Sequence, residues 1–230
     1  MTTRISELID RQVKLWRLQQ RETGERSTLQ STSSYPVITT SSSVAALGQD
    51  VARIAADALD LPLYDREIVE QIAKREHVEV DTVAALDERA EGALEDYLTA
   101  LFREHTLDQS DYFRGLCRTI AALWSRGSCV FVGRGAGFIV SPGRALRVRF
   151  DAPVAVRIAR VQHAEKIGAD AARRLVERGD AERQAFIRHF FARDVNDPLG
   201  YDLTINTATM DVEDAVATVL TAFTSKFLEA

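Results

Sequence analysis

The sequence predicts an α/β protein built on a parallel sheet with helices on both faces. Two features of the chain predict it. Apolar runs of strand length recur along it and are spaced by amphipathic helices, the order that buries a parallel sheet on both sides. Several strands run directly into turns rich in serine or glycine, SSSVAALGQD and VGRGAG among them, where such sheets bind ligands. A chain of 230 residues with 46% hydrophobic and 27% charged side chains has enough apolar material for one substantial core of this kind.

The elements follow in order. Ile5, Leu8, Ile9 and Trp16 keep helical spacing, so residues 4–22 read as an amphipathic helix, and the Ser/Thr-rich residues 23–34 read as a linker. Residues 1–34 thus form an appendage and 35–230 the domain. YPVIT is a short strand, and Val51, Ile54, Ala55, Ala58 and Leu59 mark a helix starting near Gly48. LPLYDRE is a short extended piece, after which Asp65 can cap the helix REIVEQIAKRE and Asp81 a further one. Residues 92–126 read as two helices broken near Asp108 to Ser110. SCVFV and ALRVRF are strands, Val154 to Ala164 and Ala169 to Phe191 are helices, DLTIN is a strand, and a last helix starts at Val212.

Composition excludes several classes. A net charge of -5 and a pI near 5.5 argue against a nucleic-acid binder, whose affinity needs clustered uncompensated Lys and Arg. The longest apolar runs fall short of the ~20 residues of a membrane span, and the charged N-terminus lacks an apolar signal core, which points to the cytoplasm. Cys117 and Cys129 lack a C-x-x-C spacing and read as buried free thiols. His77, His105, His163 and His189 show neither metal-ligand spacing nor a catalytic-triad order.

Three strand ends carry residues suited to anions. The first is ITTSSSVAALGQD, where the Ser41, Ser42 and Ser43 hydroxyls and backbone N–H groups either hold phosphate oxygens or cap a plain turn. The second is VFVGRGAG, where Gly133 and Gly135 free the backbone and Arg134 either grips phosphate in bidentate fashion or faces solvent. The third is an arginine-rich stretch. Arg157 and Arg160 share one helix face, but Arg173, Arg178, Arg183, Arg188 and Arg193 step around the helix by about 140° each, so most are solvated or paired.

In sequence order, ITTSSSVAALGQDVARIAADAL, LPLYDREIVEQIA, GSCVFVGRGAGFIV, LRVRFDAPVAVRIARV and YDLTINTATMDVEDAV resemble the cytidylate kinase-like family among the P-loop nucleoside monophosphate kinases. The resemblance spans roughly residues 36–225. It implies a three-layer P-loop kinase fold with a parallel sheet of about five strands, a helical monophosphate-binding insertion and a lid. It also implies transfer of the ATP γ-phosphoryl group to CMP or a related monophosphate, with Mg²⁺ accompanying ATP.

On this resemblance Ser41, Ser42, Ser43, Gly48, Gln49 and Asp50 bind nucleotide, with Asp50 the metal ligand. Asp65, Arg66, Gly133 and Arg134 bind the acceptor, and Arg134, Arg157, Arg183 and Arg193 are the catalytic cations. The loop departs from the family pattern S-R-E-x-G-S-G-G-R-E, reading S-S-S-V-A-A-L-G-Q-D: Gly48 is its one remaining glycine and Gln49 stands in place of the cation. The rival reading is a lapsed kinase fold serving as a nucleotide sensor or interaction module. There the helix in residues 1–34 would offer Ile5, Leu8, Ile9 and Trp16 to a partner protein or a second copy.

Overall fold

The computed structural model describes residues 35–66, 69, 96–103 and 110–228. The helix and linker expected in 1–34, and the helices expected from Asp65 through Leu86 beyond residues 66 and 69, lie outside that range.

Five strands form one sheet: β1 (Val37–Ser42), β2 (Leu63–Tyr64), β3 (Val130–Val132), β4 (Ala145–Asp151) and β5 (Leu203–Asn206). Their order is β2-β3-β1-β4-β5 and every pair is parallel. The chain leaves β1 toward the β2 edge and leaves β4 toward the β5 edge. The crevice beyond the C-terminal ends of β1 and β4 is therefore the topological switch point, where open α/β sheets take their ligands.

The strand side chains alternate between two cores. Ile38, Val130, Leu146, Val148, Phe150 and Ile205 face one layer, made by α1 (Gly48–Leu59) and the chain-terminal helix Val212–Leu228. Val37, Phe131 and Ala145 face the other, where α2 (Asp111–Ser125) and α3 (Ala136–Ile139) pack. This period of two, with helices on both faces, is what makes the molecule three-layered. Ser110 caps α2 by accepting from the Phe113 N–H at 3.4 Å, which sets the break expected near Asp108 to Ser110. Residues 96–103 are helical and pack into the same core through Leu98 and Leu101.

α4 (Val154–Glu165) and α5 (Ala169–Phe191) form a hairpin. Lys166 in the left-handed conformation ends α4, and Gly168 opens α5. Ile158, Val161, Ala172 and Val176 join the two helices, and Val44 and Ala45 pack against them from the loop after β1. Both cysteines are buried free thiols, and burial pushes the Cys117 thiol up to about 12, so it stays protonated. No helix among the described residues is long and apolar enough to cross a membrane.

Candidate functional site

The site is built at the switch point from the loop joining β1 to α1. Ser43 continues β1, its N–H donating to Phe150 O at 3.1 Å. Ala45 and Leu47 then take φ values of 58° each, before α1 begins at Gly48. A glycine would hold these conformations freely, whereas alanine and leucine do so at about 1–2 kcal/mol each. The loop thus keeps a turn path suited to glycine without the glycines.

Its own polar groups are engaged by the α4–α5 hairpin. The Val44 N–H donates to Asp180 Oδ1 at 3.0 Å. Arg157 donates to Asp180 Oδ2 at 2.6 Å, to Val44 O at 3.3 Å and to Ala152 O at 2.8 Å. Arg160 donates to Ala45 O at 3.1 Å and to both Thr207 Oγ1 and Thr207 O. Gly179 allows this approach, because a Cβ there would lie 2.6 Å from Val44 Cγ2. Asp180, a carboxylate on a helix, thus takes up the Val44 N–H of the loop.

Beneath α5 lies a cavity of about 590 Å³. The loop forms one wall with Ser41, Ser42, Ser43, Gly48, Gln49 and Asp50; the turn after β3 forms another with Gly133 and Arg134. Arg66 and the α5 residue Arg183 add positive charge, Glu182 of α5 adds one carboxylate at the rim, and Phe186, Phe138 and Tyr201 add aromatic surface. Gly133, Arg134 and Gly135 have φ of 76°, 51° and 68°, three consecutive left-handed residues that hold the turn tight. Gly135 is required twice over, since a Cβ there would also overlap the Phe191 ring at the end of α5.

Arg134 stacks over Phe186, its Cζ 4.9 Å from the ring centre. Burial, and next the Arg66 cation, pull its pKa down to about 10, so it remains charged near neutrality. Burial also lowers that of Arg183, opposed by Asp180 and reinforced by the neighbouring Arg149 and Arg157 cations. Like charges held together in this way favour an anion.

The expected site residues are thus only partly assembled. The loop residues, Arg66, Gly133, Arg134 and Arg183 share the cavity, but Asp65, Arg157 and Arg193 do not line it. Arg157 is 5% exposed and clamps the loop from behind. Arg193 borders a neighbouring cavity of about 520 Å³ with Asp194 and Tyr97. Asp50 pairs with Arg53 at 3.1 Å on the exposed first turn of α1. Arg173 and Arg178 face outward beside Glu177 and Glu182, as the helical stepping implies.

Sequence reasoning missed Arg149 and Asp180. Arg149 is 6% exposed and donates to Ser43 Oγ at 2.8 Å, Ser41 Oγ at 3.1 Å and Asn196 Oδ1 at 3.3 Å. The signal for it was charge inside the apolar run ALRVRF, which holds Arg147 and Arg149. Asp180 gave none beyond its place among many helical charges.

Known proteins resemble this chain in sequence and in fold. Over 97 residues the chain is 35% identical to a protein named cytidylate kinase from Pyrococcus horikoshii, a match covering 42% of this chain and half the length of that relative. A solved structure of an uncharacterized protein from Eubacterium ventriosum superposes with a TM-score of 0.58 at 19% identity, covering 83% of this chain and 98% of that one. Shikimate kinase from Bacteroides thetaiotaomicron aligns at a TM-score of 0.41 and 12% identity, over 85% and 99% of the two chains. The sequence profile of the Cytidylate kinase-like family matches residues 37–209, three quarters of the chain, and the protein belongs to that family.

Proposed function

We propose that this protein is a nucleoside monophosphate kinase that transfers the γ-phosphoryl group of ATP to CMP or a related monophosphate. The observation that carries this reading is the convergence of Arg66, Arg134 and Arg183 on one cavity beside the Ser41–Ser43 hydroxyls. Phosphoryl transfer asks a protein mainly for positioning and for charge neutralisation around an in-line transfer. An acceptor phosphate oxygen forms a bond to the γ-phosphorus as the bond to the ADP oxygen breaks. Arg134 and Arg66 hold the acceptor phosphate, Arg183 reaches from α5 toward the transferring group, and the serine hydroxyls hold donor phosphate oxygens. Phe186 and Phe138 give the cavity flat apolar surface for a base. The cytidylate choice is supported by the relative of that name, matched over half its length.

Magnesium keeps several waters and takes one or two carboxylates beside phosphate oxygens, so a single cavity-lining carboxylate is an adequate protein donor. Asp50 fits that role, in exchange for its contact with Arg53. Bound there with ATP, the ion would neutralise β- and γ-phosphate charge.

The Asp180 contact favours a second reading, a kinase fold that has lost donor binding and serves as a sensor or interaction module, with residues 1–34 as its contact segment. Calorimetric titration with ATP and with CMP, each with and without Mg²⁺, separates the two when the same samples are assayed for ADP and CDP. Saturable binding with both products formed is the expected result. Absence of ATP binding at millimolar concentration overturns the kinase reading and leaves the second. In an active enzyme Arg134→Ala lowers kcat/KM for CMP by roughly 10²–10³, the worth of one preorganised charge-stabilising donor.

A further inference from the structure

We infer that Arg149 is the positioning cation of the donor-phosphate site, acting through the hydroxyls of Ser43 and Ser41 in place of the cation the loop lacks. The inference rests on the kinase reading above. Arg149 pairs with Ser41 across β4 and β1, so its guanidinium rises at the switch-point crevice beneath the loop. A buried guanidinium costs several kcal/mol unless its donors are used and its charge is balanced. Its guanidinium donates to neutral acceptors, Ser43 Oγ, Ser41 Oγ and Asn196 Oδ1. The nearest carboxylate, Asp151, lies at 3.5 Å with its side chain 43% exposed, and it is shared with Arg157 at 3.7 Å. Counting Arg183, three guanidinium groups here face two carboxylates, Asp151 and Asp180. Within this cluster the guanidinium groups outnumber the carboxylates they pair with.

The direction of the hydrogen bonds gives this charge a route to the ligand. Because Ser43 Oγ accepts from Arg149, its single O–H is left to donate, and Ser43 lines the cavity. A hydroxyl that accepts from a guanidinium is a polarised donor, suited to a phosphate oxygen. Ser41 has a second neighbour: Tyr201 Oη lies 3.4 Å from its Oγ and gives its own proton to Val195 O at 2.7 Å. Ser43 is therefore the principal relay. The loop has no cation of its own, since Gln49 is uncharged, and its Val44 N–H is bound to Asp180.

The test measures ATP and CMP dissociation constants by calorimetry for the wild type, Arg149→Lys, Arg149→Met, Ser43→Ala and the Arg149→Met/Ser43→Ala pair, with urea midpoints for each. A cation acting through Ser43 predicts that Arg149→Met weakens ATP roughly tenfold or more while CMP stays within about twofold. Ser43→Ala should do the same, the double variant should lose little more than either single one, and Arg149→Lys should recover part of the loss. A mere staple between β4 and the loop would lower the urea midpoint and leave ATP affinity unchanged, or weaken both nucleotides alike; either result overturns the inference. If Arg149→Met does not fold, Ser43→Ala and Arg149→Lys decide, and unchanged ATP affinity in both is again fatal. A wild type that binds ATP normally while the variants match it removes this inference alone. A wild type that binds neither nucleotide removes the kinase reading with it.

Discussion

At the residue scale, the site depends on backbone conformations that few side chains favour. Ala45 holds φ at 58° in the loop, so Ala45→Gly should relieve strain of about 1 kcal/mol and leave the urea midpoint unchanged or higher, despite the lost methyl contact. A clear fall would show that the loop path is held by that contact instead. Gly135→Ala should behave oppositely. It meets both a left-handed φ and the Phe191 ring, and should cost about 2–4 kcal/mol, read as a lowered urea midpoint. Glycine at 135 was legible as a turn residue from VGRGAG. The reason it must be glycine was not, since Phe191 lies 56 residues further along the chain and only packing brings its ring there.

At the scale of elements, α5 decides what the loop offers to a ligand. The middle of the helix meets Val44 at Gly179 and its C-terminal end reaches the turn after β3 through Phe191, so the second half of α5 lies along the cavity. On the proposed function, Asp180 is the point where helix and nucleotide would compete, because a carboxylate and a phosphate oxygen would call on the same N–H and the same arginines. Asp180→Asn should therefore cost about 1–3 kcal/mol of stability, since Arg157 loses the nearer of its two charged partners, Asp180 and Asp151. The same change should tighten ATP binding by roughly tenfold, about the worth of one charge-assisted contact. Chemical denaturation reads the first effect and calorimetry the second. Equal ATP affinity in variant and wild type would mean that the phosphates bind without disturbing this contact. Helix boundaries in this region were readable from the sequence, Ala169 to Phe191 in full, because apolar periodicity and the flanking glycine are local signals. Which face of α5 meets the loop was not readable, since its arginines recur all round the helix.

At the scale of the whole molecule, the sheet edge is tied to the last helix through Asp202. Its carboxylate accepts from the Arg147 N–H at 2.8 Å, from the Arg147 guanidinium and from Lys226 Nζ at 3.0 Å, linking β4, the start of β5 and the terminal helix. Burial by itself would raise the Asp202 carboxyl, but the Arg147 hydrogen bonds and the Lys226 contact outweigh it and hold the pKa below 3.8. A depressed folded-state pKa gives stability that is present above the unfolded value and lost as pH falls through the folded one. Asp202→Asn should accordingly be less stable than the wild type at pH 7, with the difference shrinking as pH drops below 3.8, measured as paired urea midpoints. A gap independent of pH would place the effect in packing.

The alternation of apolar strands and amphipathic helices determined the α/β class, the order of the elements and the serine-rich turn at the end of β1, because each is written in local periodicity and turn chemistry. The ordered motifs carried the family and, with it, Arg66, Arg134 and Arg183 as cavity residues. Only the tertiary structure separated Arg157 and Arg193 from that cavity, placed the Asp180 carboxylate on the loop and set Arg149 behind Ser43. Those contacts join residues 106 and 136 positions apart, and a pairing across a parallel sheet or between a loop and a distant helix leaves no periodic trace in either segment.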